Sequence, residues 1–211
     1  KNNPIDIIDV SNKSLESFAL LDKTTLERIS GIDGIAQVEV RSSIGGKFWS
    51  GDAQTDAVIN AISRHYLDLA RSDLSDRDRD VLFDRGRSVL ITPKLAELLG
   101  FGNPDEAIGR EIEYAGVVTA DMLGDVDEVP KTEEDIATEG RLVVAGIIRD
   151  QSKDDAVYAY VPIEEVRKRY GKVAGQFAKV RVRDEASIEP ARLGIEQTAF
   201  VTESVIDTVA D

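Results

Sequence analysis

The residues best able to do chemistry are the carboxylates of residues 121–139, a segment with eight acidic residues, one lysine and a net charge of −7. Carboxylate oxygens are the ligands that Ca²⁺ prefers. A calcium-binding EF-hand loop that starts at Asp125 places Asp127 correctly, but Pro130 then falls where glycine is needed and Ile136 where glutamate is needed. A start at Asp121 also fails, because Leu123 is then the third residue of the loop and Thr132 the last. The EF-hand spacing is therefore absent, although another kind of calcium site stays open.

The segment is more typical of a solvated acidic loop, with contact to a basic partner as its functional alternative. Repulsion among the carboxylates and the presence of Pro130 both disfavour a packed element. The residues expected to make a partner contact are Asp125, Asp127, Glu128, Glu133, Glu134 and Asp135.

Other catalytic arrangements are missing from the sequence. There is no cysteine, and the single histidine, His65, stands in a polar stretch typical of a structural or exposed side chain. No Gly-x-Ser-x-Gly nucleophile motif or phosphate-binding glycine motif occurs, and Gly45-Gly46-Lys47 lacks the rest of a P-loop. Trp49, the only tryptophan, is expected to pack rather than to stack on a ligand. The sequence thus predicts no catalytic site, metal site or cofactor.

Composition and net charge limit the kinds of partner that the chain can bind. The chain has 211 residues, of which 42% are hydrophobic and 31% are charged, so it is long and apolar enough for a packed core. Its net charge of −14 argues against nucleic acid and anionic lipid. No apolar run reaches the 18 residues that a membrane span needs. Because the sequence starts Lys1-Asn2-Asn3-Pro4, we expect it to be excised from a longer polypeptide.

Strand and helix patterns alternate along the chain, and capping residues and glycines mark their expected boundaries. A helix is expected near 23–30, with Asp22 as its N-cap and Gly31 as a left-handed stop, followed by a strand at 35–44 that Gly45-Gly46 turns into a hairpin. Thr92 and Pro93 predict the start of a second helix after the strand 89–91. Further strands are expected at 57–62, 111–114, 142–148, 157–161, 178–182 and 199–202, and further helices at 163–170, 188–197 and from 203 onward.

Four segments, in this order, resemble one family. They are Gly31–Val38 with the helix before it, Ser88–Gly100 with Glu106–Ile112, Leu142–Ile148, and Val157–Pro162. Together they are similar to the extracytoplasmic core domain of MacB-type ABC transporter permeases, the group that includes MacB, LolC/LolE and FtsX. Residues 121–139 and the charged stretch 72–80 before Gly86-Arg87 depart from the shared pattern.

The resemblance implies an α+β fold. It consists of a porter-like subdomain built from both termini, about residues 1–62 and 172–211, with a mixed α/β (Sabre-like) subdomain inserted at about 63–171. The first and last strand–helix units should then share one sheet, so Val38 and Val180 should lie close together.

The resemblance also implies a function. Such a domain lies outside the cytoplasmic membrane, in the periplasm or at the cell surface, between the first two of four membrane spans that are absent from this chain. It does no chemistry; it relays the conformational change driven by a separate ATP-hydrolysing subunit or domain to substrate or to an extracytoplasmic adaptor or peptide. The permease is expected to form a homodimer or heterodimer. Two alternatives stay open from the residues: a secreted acidic cell-wall or polysaccharide hydrolase, and a solute-binding domain.

Overall fold

The computed structural model describes residues 6–12, 20–70, 76–118, 122, 137–149, 155–168, 173–198 and 200–204. Within these residues the fold is α+β and dominated by strands. The strands are β1 (Ile7–Asn12), β2 (Ile35–Ser50), β3 (Ala53–Ile62), β4 (Ser88–Ile91), β5 (Glu111–Val117), β6 (Ala137–Ile147), β7 (Tyr158–Pro162), β8 (Phe177–Val182) and β9 (Phe200–Ser204). The helices are α1 (Lys23–Ser30), α2 (Tyr66–Leu69), α3 (Asp76–Asp84), α4 (Pro93–Leu98), α5 (Ile163–Arg167) and α6 (Ile188–Glu196).

All nine strands belong to one hydrogen-bonded system with two parts. Six strands close on themselves in the order β2-β3-β7-β4-β6-β5 and back to β2; we call this part the ring. Strands β8, β1 and β9 extend from β2 as an open antiparallel sheet, which we call the open sheet. Strand β2 therefore belongs to both parts, its first half to the open sheet and its second half to the ring.

The predicted hairpin turn at Gly45-Gly46 is wrong, because β2 runs through both glycines. The chain turns instead at Gly51-Asp52, where Gly51 has a φ of +59°, and β3 returns along β2 with Ser50 opposite Ala53. Gly46 has a different role. A Cβ placed there would lie 2.4 Å from Cδ1 of Ile59 and 2.7 Å from the carbonyl oxygen of Ala115. Glycine at this position lets β3 and β5 pack closely against β2 inside the ring.

The open sheet joins the two ends of the chain as predicted. Val38 of β2 lies opposite Val180 of β8, and β1 inserts between β8 and β9. Alternation places Ile8 and Val180 in the core beneath α1 and α6, where Ile29 and Ile195 are also buried. The last sequence prediction in this region is wrong, since residues 203 and 204 continue β9 instead of starting a helix.

Helix capping follows the sequence closely. Asp22 caps α1 by accepting a hydrogen bond from the Thr25 amide at 2.7 Å, and Thr92 caps α4, with Pro93 in its first turn. Gly31 ends α1 with a φ of −80°, so the expected left-handed stop is wrong. The bond between the Gly31 amide and the Glu27 carbonyl closes the helix without that conformation.

One hydrophobic core runs through both parts. Residues of the open sheet such as Val10 and Val180 and residues of the ring such as Phe48, Ile59 and Tyr114 belong to a single cluster of buried side chains. A smaller cluster, which includes Leu67, Leu82 and Leu90, packs α2 and α3 against the ring. Hydrogen bonding places residues 41–62 in the ring; the division into subdomains at 62/63 and 171/172 stays a prediction.

The two adjacent glycines of β2 provide a matched test of the ring. Gly46→Ala should lower the free energy of unfolding by about 1–3 kcal/mol, because its methyl group must displace Ile59 and a backbone carbonyl. Gly45→Ala is the control, since a Cβ there meets nothing within 4 Å; its effect should stay within about 0.5 kcal/mol or be slightly stabilising. Urea denaturation of both variants measures the difference. Equal stability of the two would contradict the close packing described for Gly46.

Candidate functional site at the junction of the open sheet and the ring

The junction is the short region of β2 where its partners change. Arg41 is the last residue of β2 that pairs with β8, opposite Phe177, and the first that pairs with β3, opposite Ile62. Four residues further on, at Gly45, pairing with β5 begins. The open sheet and the ring are therefore connected through this region of β2.

A buried carboxylate ties the junction together. Glu39 is only 8% exposed, and its carboxylate accepts hydrogen bonds from Nε2 of Gln37 (2.8 Å), Oγ of Ser63 (2.5 Å) and the amide of His65 (3.2 Å). Three donors offset much of the cost of removing the charge from water. Two of these donors follow β3, so the carboxylate joins the open-sheet half of β2 to the chain that leaves the ring.

Ser63 completes this connection through its backbone. Its amide donates to the carbonyl of Val40 at 3.0 Å, and its hydroxyl accepts from the Val40 amide at 2.8 Å. The residue thus continues the β2–β3 pairing by one step beyond the end of β3 while its hydroxyl proton serves Glu39. We call the set Gln37, Glu39, Val40, Ser63 and His65 the Glu39 network.

An arginine between two aromatic rings fills the neighbouring position. The guanidinium carbon of Arg41 lies 4.5 Å from the ring centre of Phe177 on β8 and 6.0 Å from that of Tyr66 on α2, in the range of cation–π contacts. Burial raises the pKa of Tyr66 to about 12, against a smaller lowering by Arg41. The phenol therefore stays neutral at physiological pH, and α2 is held over the junction by packing and a cation–π contact.

Ion pairs continue across the same face of the open sheet. Lys179 pairs with Asp9 of the next strand, and Arg181 Nε lies 3.5 Å from Asp6 Oδ2. These pairs are partly exposed and contribute little stability individually. They make this face polar, whereas the opposite face carries Val38, Val40 and Val180 into the core.

The arrangement is suited to holding two parts in one geometry. Among the described residues, no group of three or more acidic or histidine side chains is placed to hold a metal ion. In the same ranges, no helix has the length and apolar character to cross a bilayer. The junction supplies hydrogen bonds that join the open-sheet half of β2 to the chain that leaves β3.

The acidic residues predicted for partner contact, namely Asp125, Asp127, Glu128, Glu133, Glu134 and Asp135, lie outside the described residues. On either side of them, Met122 is buried and accepts a hydrogen bond from the Ala174 amide, and β6 begins at Ala137.

The side chains singled out individually lie at the surface of the ring. His65 is half-exposed and pairs through Nδ1 with Asp68 at 3.0 Å, as expected for a structural or exposed histidine. Trp49 is half-buried and donates through Nε1 to Gln54 at 3.0 Å; it also borders an open hollow beside Glu113 and Tyr114. Neither residue belongs to the Glu39 network through its side chain.

Sequence reasoning missed the Glu39 network. The alternation at Gln37, Glu39 and Arg41 marks the solvent-facing side of a half-buried strand. Nothing in that pattern shows that the residues after β3 return to cover Glu39. The only available signal was the Ser63 hydroxyl directly after a run of buried residues, which is common at strand ends.

Comparison with known proteins gives matches at the level of structure. No protein-family model matches the sequence, and no curated protein matches it. Three solved structures share the fold over nearly their whole length. The extracellular domain of the ABC-type transporter YknZ from Gram-positive bacteria has a TM-score of 0.63 at 16% identity, with 94% of this chain and 100% of that chain covered.

The two others are of the same kind. The periplasmic region of MacB from Actinobacillus actinomycetemcomitans has a TM-score of 0.65 at 11% identity, covering 99% of this chain and 94% of that one. A permease-protein domain from Porphyromonas gingivalis has a TM-score of 0.52 at 13% identity, covering 98% and 97%. The fold is thus that of the extracytoplasmic domains of ABC transporter permeases, which confirms the resemblance to the MacB and FtsX group at the level of fold.

The junction can be tested by removing one donor. Ser63→Ala leaves the Glu39 carboxylate buried with one hydrogen bond fewer and should lower the free energy of unfolding by about 1–3 kcal/mol. Ser50→Ala at the far end of β2 is the control, since the described residues give its half-buried hydroxyl no partner; it should change stability by less than about 0.5 kcal/mol. Thermal unfolding measures the stability of both variants. If the two were similarly stable, Ser63 would not contribute to the junction as described.

Proposed function

We propose that the chain is the extracytoplasmic domain of an ABC transporter permease of the MacB/FtsX type. The domain is not itself catalytic, and it relays ATP-driven conformational change across the membrane to substrate or partner proteins. The observation that carries the proposal is the likeness in fold to three transporter domains over nearly the whole of both chains. The absence of a metal-binding group among the described residues is compatible with this role.

The architecture suits such a relay. Strand β2 is 16 residues long, about 50 Å at the usual rise per residue, and its two halves belong to the open sheet and the ring. The Glu39 network and the shared core join the two parts on either face of this strand. A force applied to the open sheet therefore displaces the ring as well, instead of bending a flexible linker.

We further propose that the open sheet corresponds to the porter-like subdomain implied by the resemblance and the ring to the Sabre-like subdomain. Residues 41–62, which the resemblance assigned to the porter-like part, are hydrogen-bonded within the ring, so the boundary between the two would fall inside β2. The parent protein would place this domain on the periplasmic or cell-surface side of the cytoplasmic membrane and would work as a homodimer or heterodimer. Its ATPase would be a separate nucleotide-binding subunit or domain. Membrane contact would be made only by spans outside this sequence.

The membrane context gives a direct test. The parent reading frame should encode four membrane spans with this segment between the first two, and protease added outside intact cells or spheroplasts should cleave an epitope inserted at the exposed turn Gly51-Asp52. A parent protein with a secretion signal and no further spans would contradict the proposal, as would an epitope accessible only after lysis.

The relay itself can be tested in the full-length permease with its ATPase. These 211 residues contain no cysteine, so once any cysteines elsewhere in the permease and its ATPase are replaced, Leu193→Cys on α6 and Leu98→Cys on α4 provide one exposed spin-label site in each part. The distance between these labels within one chain should not change on addition of ATP, while the distance between equivalent Leu193 labels of the two subunits should change. A large change within one chain would show that the parts move independently, and no change anywhere would contradict a relay.

We also propose that the acidic segment contacts a basic partner, such as an extracytoplasmic adaptor or a cationic peptide. Its sequence supports this, since it contributes −7 of the net charge of −14. Replacing Asp125, Asp127, Glu128, Glu133, Glu134 and Asp135 with Asn or Gln should leave the unfolding midpoint unchanged or slightly raised, because removing like charges relieves repulsion.

The same replacement should weaken partner binding, and binding to the unmodified domain should already weaken as salt is added. Titration calorimetry at low and physiological ionic strength measures both effects. Equal affinity of the neutralised and unmodified domains at low salt would leave the segment a solubilising tether.

A further inference from the structure

An open apolar groove lies on the ring, away from the junction. It has a volume of about 420 Å³ and is bordered by Val81 of α3, Val143 of β6 and Ile108 in the turn before β5. Ile108 and Val143 are 48% and 39% exposed, among the most exposed large apolar side chains of the described residues. Because both side chains border the same hollow, they form one small apolar patch.

The groove has a basic border in a strongly acidic chain. Arg85 lines it, Arg87 lies between its lining residues Gly86 and Ser88, and Arg110 follows its lining residue Gly109. All three arginines are exposed, and none forms an ion pair with another described residue.

The acidic residues of the same region are largely paired elsewhere. These pairs are Asp84 with Arg64, Asp105 with Arg149, Glu111 with Arg141, and Glu165 with Lys168. Glu106 shares a neighbouring hollow with Arg110 but forms no ion pair within the described residues. Arg85 and Arg87 are therefore exposed cations on this border that form no ion pair with a described carboxylate.

The backbone at Arg87 is a second, independent observation. Arg87 has a φ of +48°, the one positive value among the described non-glycine residues. Its amide donates to Oε1 of Glu165 at 3.0 Å, and its carbonyl accepts from the Val143 amide at 2.7 Å, so the conformation is held from both sides. Glycine would adopt this conformation without strain. Arg87 is thus held in a conformation that its side chain disfavours, and strained backbone of this kind is common at functional sites.

We propose that this groove binds a peptide segment of a partner protein that carries apolar side chains next to carboxylates. The apolar side chains would bury Ile108 and Val143, and the carboxylates would meet Arg85 and Arg87, whose guanidinium groups suit bidentate pairing. The net charge of −14 repels an acidic ligand at long range, so recognition of such a peptide depends on these local groups. Binding of such a peptide by this groove can be tested without assuming a transport function.

The test uses the 211-residue chain and fluorescein-labelled octapeptides, read by fluorescence anisotropy at physiological salt. A peptide of alternating Asp and Leu should bind, and a peptide of alternating Asp and Ser should bind at least about tenfold more weakly. The double variants Arg85→Ser/Arg87→Ser and Ile108→Ser/Val143→Ser should each weaken binding of the Asp-Leu peptide about tenfold. Arg28→Ser/Val58→Ser, which changes an exposed arginine and an exposed valine elsewhere, should not.

Two further measurements separate binding from folding. Arg87→Gly should raise the urea midpoint of unfolding, because it removes backbone strain. It should also weaken binding of the Asp-Leu peptide, because it removes one cation. A lowered midpoint would show that Arg87 has a structural role and would overturn the proposal. A Lys-Leu peptide is attracted by the overall negative charge, so the groove variants should bind it as tightly as the unmodified chain does. The proposal is also overturned if the Asp-Leu peptide fails to bind, or if it binds the groove variants as well as the unmodified chain.

Discussion

The structure depends on one strand, β2, whose two halves pair with different strands. The first half of β2 pairs with β8 in the open sheet, and its second half pairs with β3 and β5 in the ring. The same face of the strand supplies Val40 to the core of the open sheet and Phe48 to the interior of the ring. Because alternation in a strand has a fixed period of two, a register slip in either half would turn both sets of side chains toward solvent. The two parts therefore constrain each other through β2.

The opposite face of β2 is polar, and part of it is covered where the strand changes partners. Where the partners change at Arg41, the polar face is covered by the chain that leaves β3, so Glu39 is buried and Arg41 is partly buried. Glu39 regains its hydrogen bonds from Ser63, Gln37 and the His65 amide, whereas Arg41 regains aromatic contact. Partly buried charged groups with specific partners define one relative position of the two parts more sharply than apolar packing alone does.

Local signals in the sequence predicted the elements well and predicted their meeting points less well. Thr92-Pro93 and Asp22 mark helix starts through capping, which depends on neighbouring residues only, and both predictions are confirmed. The pairing of Val38 with Val180 followed from the resemblance and is also confirmed. The turn predicted at Gly45-Gly46 was wrong, because a glycine pair is a local signal for a turn. Glycine is needed at position 46 because Ile59 and Ala115 approach it closely in the tertiary structure, which the local sequence does not show. Burial of Glu39 escaped prediction for the same reason, and the acidic segment lies outside the described residues.

The central claim is that β2 and the Glu39 network make the open sheet and the ring one cooperative unit, and native-state amide hydrogen exchange tests it most directly. The slowest amides of the open-sheet half, at Val38 and Val180, and of the ring half, at Phe48 and Tyr114, should exchange through the same opening, with equal free energies that fall in parallel as urea is added. If the amides at Val38 and Val180 opened at a free energy more than about 2 kcal/mol below those at Phe48 and Tyr114, with a smaller dependence on urea, the two parts would be separate units and the claim would be wrong.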